Sequence, residues 1–195
     1  MPAERVSNPV IHLIAGPNGA GKTTLATLVL QPVTQLPFVN ADLIALERWP
    51  SAQAEHAYEA SRAAADERAR LISAGVSIIS ETVFSHPSKL ALIDLAHRAG
   101  YRVELHAVLL PEEVTVARVD HRVRTGGHDV PETKIRERYH RLWPLVARAM
   151  AIADVAWIYD NSLAATPLRL VAHYEFGTPV GPPHWPLWTP KAVRS

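Results

Sequence analysis

The sequence predicts an α/β fold of three layers, a mainly parallel central sheet with helices on both faces. Three observations carry that expectation. Short apolar runs alternate along the chain with longer segments of helical periodicity, the pattern of strands joined by crossover helices. Two of those runs, "VSIIS" at 76–80 and "VAWIY" at 155–159, stay apolar without alternating, as strands buried on both faces do. The first run, "VIHLIA" at 10–15, feeds straight into a glycine-rich turn that opens a helix.

Strands are expected at 10–15, 38–40, 76–80, 103–110, 155–159 and 168–176. Helices are expected at 22–30, 52–74, 87–99, 111–125 and 131–153. Residues 1–9 are polar with two prolines and read as a loose lead-in. Residues 177–195 hold five prolines and two tryptophans, a composition that argues against regular structure. Trp185 and Trp188 are expected to wrap back onto the body because exposed indoles are costly; docking of a partner is the alternative. The 195 residues are read as a single domain, 1–195, large enough for a substantial core.

Composition narrows the function classes. A hydrophobic fraction of 48% and a charged fraction of 20% fit a soluble globular protein. The formal net charge of +1 gives no general case for nucleic acid or membrane as a partner. There are no cysteines, which excludes disulfides, thiolate chemistry and cysteine-ligated zinc. No apolar run approaches the roughly 20 residues that span a bilayer, and 10–15 lacks a signal-peptide cleavage pattern. A cytoplasmic location is expected.

Gly16-Pro17-Asn18-Gly19-Ala20-Gly21-Lys22-Thr23-Thr24 matches the full phosphate-loop pattern, after a strand and before a helix, where the mechanism needs it. Glycines let backbone N–H groups converge on phosphate oxygens. Lys22 would reach the β- and γ-phosphates of ATP, and the Thr23 hydroxyl would ligate Mg²⁺. "GPNGAGKTT" is also common in ABC-type ATPases. The chain has neither a Leu-Ser-Gly-Gly signature nor a strand ending in Asp-Glu, and no Asn-Lys-x-Asp guanine motif. Phosphoryl transfer to a bound acceptor remains.

"FVNAD" at 38–42 places Asp42 just past the end of the second strand, where open α/β sheets bind ligands. A carboxylate there suits a general base for an attacking hydroxyl. The alternative is that Asp42 caps the following helix, a role Asn40 also fits. Glu81 and Thr82 follow the third strand and are expected on the acceptor side with Asn40. Glu81 would hold a water on Mg²⁺ or grip an acceptor hydroxyl, with an arginine pair as the bland alternative.

Arg118 and Arg122 are four apart and share a helix face. Gly126-Gly127 then breaks the helix, and Pro131 suits the start of the next. Two arginine-bearing helices joined by a glycine hinge read as a lid that excludes water on closing. Arg118, Arg122 and Arg136 are the expected phosphate contacts, a solvated charged face being the alternative. Ile135, Tyr139, Leu142, Val146 and Ala149 form the core stripe of the second helix. His128 lies in the hinge. None of the ten histidines is expected to form a metal-ligand constellation. Asp160-Asn161-Ser162 is read as a contact to the nucleotide base or a plain turn.

Together "GPNGAGKTT", "FVNAD", "SETVFS", "RVDHRVRTGGHDVPETKIRERY" and "WIYDNS" resemble the zeta toxin family of P-loop kinases, over about residues 10–162. The resemblance implies a nucleotide-kinase-like fold, ATP as donor and a UDP-activated amino sugar as acceptor. It also implies toxicity held in check by an antitoxin protein. Carried across, Asp42 becomes the general base and residues 16–23 the phosphate cradle. Glu81 and Thr82 become acceptor-side residues, while Arg122 and Arg136 stabilise the transferring charge. The Trp- and Pro-rich tail lies outside the family pattern. Two other readings stay open: a kinase of nucleosides, antibiotics or polynucleotide ends, and a non-catalytic ATP-dependent interaction module.

Overall fold

The computed structural model describes residues 8–125 and 130–194. Seven strands form one sheet in the order β2-β3-β1-β4-β5-β6-β7. They are β1 (Val10–Ala15), β2 (Phe38–Val39), β3 (Ile78–Thr82), β4 (Arg102–Leu109), β5 (Val155–Asp160), β6 (Arg169–Glu175) and β7 (Thr178–Pro179). β2 through β5 run parallel about the central β1, and β6 and β7 add antiparallel to one edge. The expected mainly parallel α/β architecture is the one observed.

The helices after the first two strands are α1 (Lys22–Thr24), a π-helical stretch Leu25–Leu30, α2 (Gln31–Thr34) and α3 (Ala41–Arg48). Then come α4 (Ala57–Ser73), α5 (Ser88–Arg98), α6 (Glu112–Arg124), α7 (Glu132–Ile152) and α8 (Lys191–Arg194). The helix expected at 22–30 therefore continues to Thr34. Pro32 has no N–H to give the preceding turn, and the helix widens just upstream of it. α4 starts at Ala57, not residue 52, because 50–56 form turns instead. α6 carries Glu112 and Glu113 in its first turn and His121, Arg122 and Arg124 in its last, charges that complement the helix dipole at both ends.

Side chains alternate along the strands, so one face of the sheet receives Ile11, Leu13, Val103, Leu105, Ala107 and Ile158. α4, α5 and α7 cover that face, α7 through the expected stripe Ile135, Tyr139, Leu142, Val146 and Ala149. The opposite face holds a smaller apolar cluster in which Leu25 and Ala26 pack on Ile14, Ile79 and Val108. Further back toward the start of β1 and β4, this second face turns polar, with His12, Glu104 and His106.

The tail contradicts its expectation of irregularity: it supplies β7 and α8. Proline fits there because β7 is an edge strand. Trp185 and Trp188 pack half-buried against the main core, as expected, and Val193 of α8 is buried within it. Among the described residues no helix is long and apolar enough to cross a membrane.

Candidate phosphate-transfer site

The loop from Gly16 to Thr23 links the end of β1 to α1. Its glycines are required by close approach. A Cβ on Gly16 would lie 2.7 Å from the Val108 carbonyl oxygen. Gly21 adopts φ +90°, and a Cβ there would come within 2.5 Å of the Asn161 amide nitrogen. Asn161 is packed so tightly because it braces the loop. Its Nδ2 donates to the Ala20 carbonyl at 2.8 Å, and its Oδ1 accepts from the Leu168 N–H at 3.2 Å. Arg118 adds a second brace, donating to the carbonyls of Gly19 at 3.2 Å and Asn161 at 2.9 Å.

Lys22 is buried, and its Nζ donates to the Pro17 carbonyl at 2.9 Å while facing Glu81 Oε1 at 3.7 Å. Burial lowers its pKa, the carboxylates of Glu81 and Asp42 oppose that shift, and the Arg122 guanidinium adds to it. Those influences gather Asp42, Glu81 and Arg122 electrostatically around the ammonium.

Glu81 is the hub. Its Oε2 accepts from the Thr23 hydroxyl at 2.8 Å and from Asn40 Nδ2 at 2.6 Å. Glu81 and Thr82 do not follow β3, as the sequence suggested; they are its last two residues, paired with Ile14 and Ala15. The strand runs on because the neighbouring β1 is still extended there and supplies ladder partners. Thr82 turns its hydroxyl inward to accept the Phe84 N–H at 3.2 Å.

β2 ends at Val39, one residue short of its expected boundary, because Asn40 caps α3. Its Oδ1 accepts from the N–H groups of Asp42 at 2.7 Å and Leu43 at 3.1 Å. Capping therefore falls to Asn40, and the Asp42 carboxylate sits exposed in the first turn of α3.

The arginines divide. Arg118 binds loop carbonyls, and Arg122 lies within electrostatic reach of Lys22. Arg136, an expected phosphate contact, is engaged by carboxylates. It donates to Glu113 at 2.7 and 2.9 Å, to Glu132 at 2.8 Å and to Glu112 at 3.2 Å, clasping the start of α6 to the start of α7. Three carboxylates hold its charge there. The expected hinge residues Gly126, Gly127 and His128 lie outside the described residues.

Two features escaped the sequence reading. Asn161, expected at a nucleotide base or in a plain turn, instead braces the loop. The histidines, expected to form no constellation, do: donor atoms of His12, Glu104 and His106 all lie within 4.8 Å of one another. Register neighbours across two strands are invisible to linear spacing, although period-two alternation of His106 with Glu104 hinted at a shared face. Burial, with His12 beside it, pushes the His106 pKa down to about 3.

The zeta toxin family model matches residues 2–165. A search of curated proteins finds no significant match. Among solved structures, a chain of the AvrRxo1-ORF1:-ORF2 complex crystallised with ATP superposes with a TM-score of 0.70 at 20% identity, over 90% of this chain and 61% of that one. This chain therefore spans about three-fifths of that relative's length. A structure from the PezAT chromosomal toxin–antitoxin system of Streptococcus pneumoniae gives a TM-score of 0.59 at 18% identity, covering 78% and 69%. A gluconokinase from Sinorhizobium meliloti gives 0.52 at 18%, covering 83% and 86%. These likenesses are in fold.

Proposed function

Since the chain belongs to the zeta toxin family, whose fold it shares with P-loop kinases, we propose that it is an ATP-dependent kinase that transfers the γ-phosphate to a hydroxyl of a small molecule. A UDP-activated amino sugar is the proposed acceptor and an antitoxin protein the proposed partner. The observation that carries this reading is the chain of hydrogen bonds from Thr23 through Glu81 to Asn40, which ties the phosphate loop to the start of α3 and leaves the Asp42 carboxylate outside the helix cap.

In this reading the loop N–H groups and Lys22 bind the phosphates, as the glycine backbone and buried ammonium suit. Asp42 accepts the proton of the attacking hydroxyl. Arg122 stabilises charge on the transferring group, and Arg118 keeps the loop in shape. The Thr23 hydroxyl and Glu81 carboxylate, 2.8 Å apart, are hard oxygen donors that fit Mg²⁺. Bound there, Mg²⁺ would neutralise charge on the β- and γ-phosphate oxygens. The proposed acceptor side is the carboxyl ends of β2 and β3, at Asn40, Glu81 and Thr82.

The test incubates the protein with Mg-ATP and separate panels of UDP-sugars, nucleosides and oligonucleotides, with Asp42→Asn in parallel. The expected result is one added phosphate on a UDP-amino sugar, lost in the variant. Gain on another hydroxyl compound keeps the kinase and replaces the acceptor. Bound ATP with no gain on any compound overturns the kinase reading and favours an interaction module.

A further inference from the structure

β1 and β4 lie side by side, with His12 directly opposite Glu104. His106 is two residues further along β4, so its side chain falls on the same face as that of Glu104. His12 Nδ1 stands 3.1 Å from His106 Nε2 and 3.6 Å from Glu104 Oε2. Ligand atoms about 2.0–2.1 Å from a four-coordinate ion lie about 3.3 Å apart along a tetrahedral edge, and the two separations bracket that value.

Each group is also oriented from behind. His106 Nδ1 faces the Tyr159 hydroxyl at 3.3 Å; in the tautomer that donates its N–H there, Nε2 presents its lone pair to the cluster. Glu104 divides its oxygens: Oε1 accepts from Arg102 Nε at 3.1 Å, leaving Oε2 for the cluster. The His12 and Glu104 side chains keep 12% and 20% of their surface exposed, so an ion can reach them from solvent, while His106 is buried beneath.

We propose that His12, Glu104 and His106 bind one divalent transition-metal ion, Zn²⁺, at a site separate from the phosphate loop. Two imidazoles and one carboxylate form the borderline donor set that zinc takes, with a fourth position left to water or a further donor. The set is poor for Mg²⁺, which prefers oxygen. The ligands stand on two strands of the sheet, which hold them more rigidly than loops would. The site lies three residues before the end of β1, about 10 Å upstream of the loop at strand rise. A bound ion would therefore cross-link the two central strands without entering the transfer chemistry.

The test uses the full chain, stripped of metal by chelator, and titrates ZnCl₂ calorimetrically in excess Mg²⁺ without nucleotide. One ion should bind per chain. His12→Asn and Glu104→Gln, both at partly exposed positions, should each weaken zinc by at least about tenfold while leaving far-ultraviolet circular dichroism unchanged. Co²⁺ should give the intense visible absorption of a low-coordinate site, lost in both variants. Zinc should also raise the melting temperature of the wild-type chain alone. If Zn²⁺ does not saturate at one per chain, or binds both variants as tightly as wild type, the cluster is a hydrogen-bonded histidine pair and the proposal falls. Should His12→Asn unfold, the Glu104→Gln titration decides.

Discussion

The two ends of β1 are built in opposite ways. Past its last residue, Ala15, the chain bends into a loop whose geometry depends on backbone. A Cβ at Gly16 or Gly21 would strike a neighbour, and the buried ammonium of Lys22 lies within six residues of that bend. Nearer its start, His12 contributes one side chain to a cluster whose other members come from β4, 92 and 94 residues later in the chain. The phosphate loop itself is a local motif, although Glu81, Arg118 and Asn161 reach it from afar, and the histidine cluster is assembled wholly by register. That difference explains why one was legible as a motif and the other was not.

The sharpest way to break the comparison is to remove the charges that the local site depends on. Lys22→Ala should lower phosphate transfer by about 10³-fold and weaken ATP, because phosphate charge is stabilised there by a desolvated cation. Asp42→Asn should lower transfer by about 10²–10⁴-fold and leave ATP affinity nearly unchanged, as loss of a general base does. Single-turnover transfer and equilibrium ATP binding, measured together, separate the two. Near-full transfer by Asp42→Asn would remove that residue from the chemistry.

Next in size is Gly21→Ala. The residue stands at φ +90°, and its new methyl would meet Asn161 at 2.5 Å. Strain of about 1–3 kcal/mol is expected; ATP affinity should fall, and so should the melting temperature. Adding Asn161→Ala removes the steric contact but neither the backbone strain nor the lost brace on Ala20. The double variant should therefore recover only part of the loss. Complete recovery would mean that the left-handed backbone costs little at this position.

The sequence made much of this fold readable for physical reasons. Parallel strands buried on both faces are continuous apolar runs: "VAWIY" lies on β5, and the "IIS" of "VSIIS" opens β3. The stripe on α7 follows the helical period and is buried. What failed depended on partners distant in sequence. The sequence puts Glu81 after its strand because nothing local shows that β1 pairs with β3 as far as Thr82. The tail looks irregular in sequence because composition reports prolines but not the edge of a sheet waiting beside them. Asn161 could be placed at a turn, but its grip on Ala20 spans 141 residues.

The arginines give a smaller test of the same local–distant contrast. Arg118 donates two charge-assisted bonds to carbonyls that shape the loop. Hydrogen bonds to a charged group contribute about 1.5–3 kcal/mol, so Arg118→Ala should weaken ATP about tenfold or more by loosening Gly19, with a modest loss of stability. Arg118→Lys should restore little, since an ammonium lacks the fork that spans both carbonyls. Rescue by lysine would reduce its role to that of a nearby positive charge.

The smallest effect is expected at Arg136, which carboxylates hold between α6 and α7. The spacing of the arginines suggests a phosphate contact, yet its guanidinium is shared among Glu112, Glu113 and Glu132. Those glutamates are open to solvent to different degrees, so salt screens the network. Arg136→Ala should lower the melting temperature slightly, by an amount that shrinks at high salt, and leave ATP binding almost unchanged. The decisive comparison is with Arg122→Ala under identical conditions. Arg122 lies within electrostatic reach of Lys22 and in the proposed mechanism stabilises the transferring group, so its loss should reduce transfer while Arg136→Ala leaves it near wild type. If both variants lose transfer equally, Arg136 must leave its three carboxylates during the reaction. The clasp between α6 and α7 would then be the resting state of a closing lid. A salt-sensitive melting shift with transfer intact would instead fix Arg136 as the tie that holds the two helices in register.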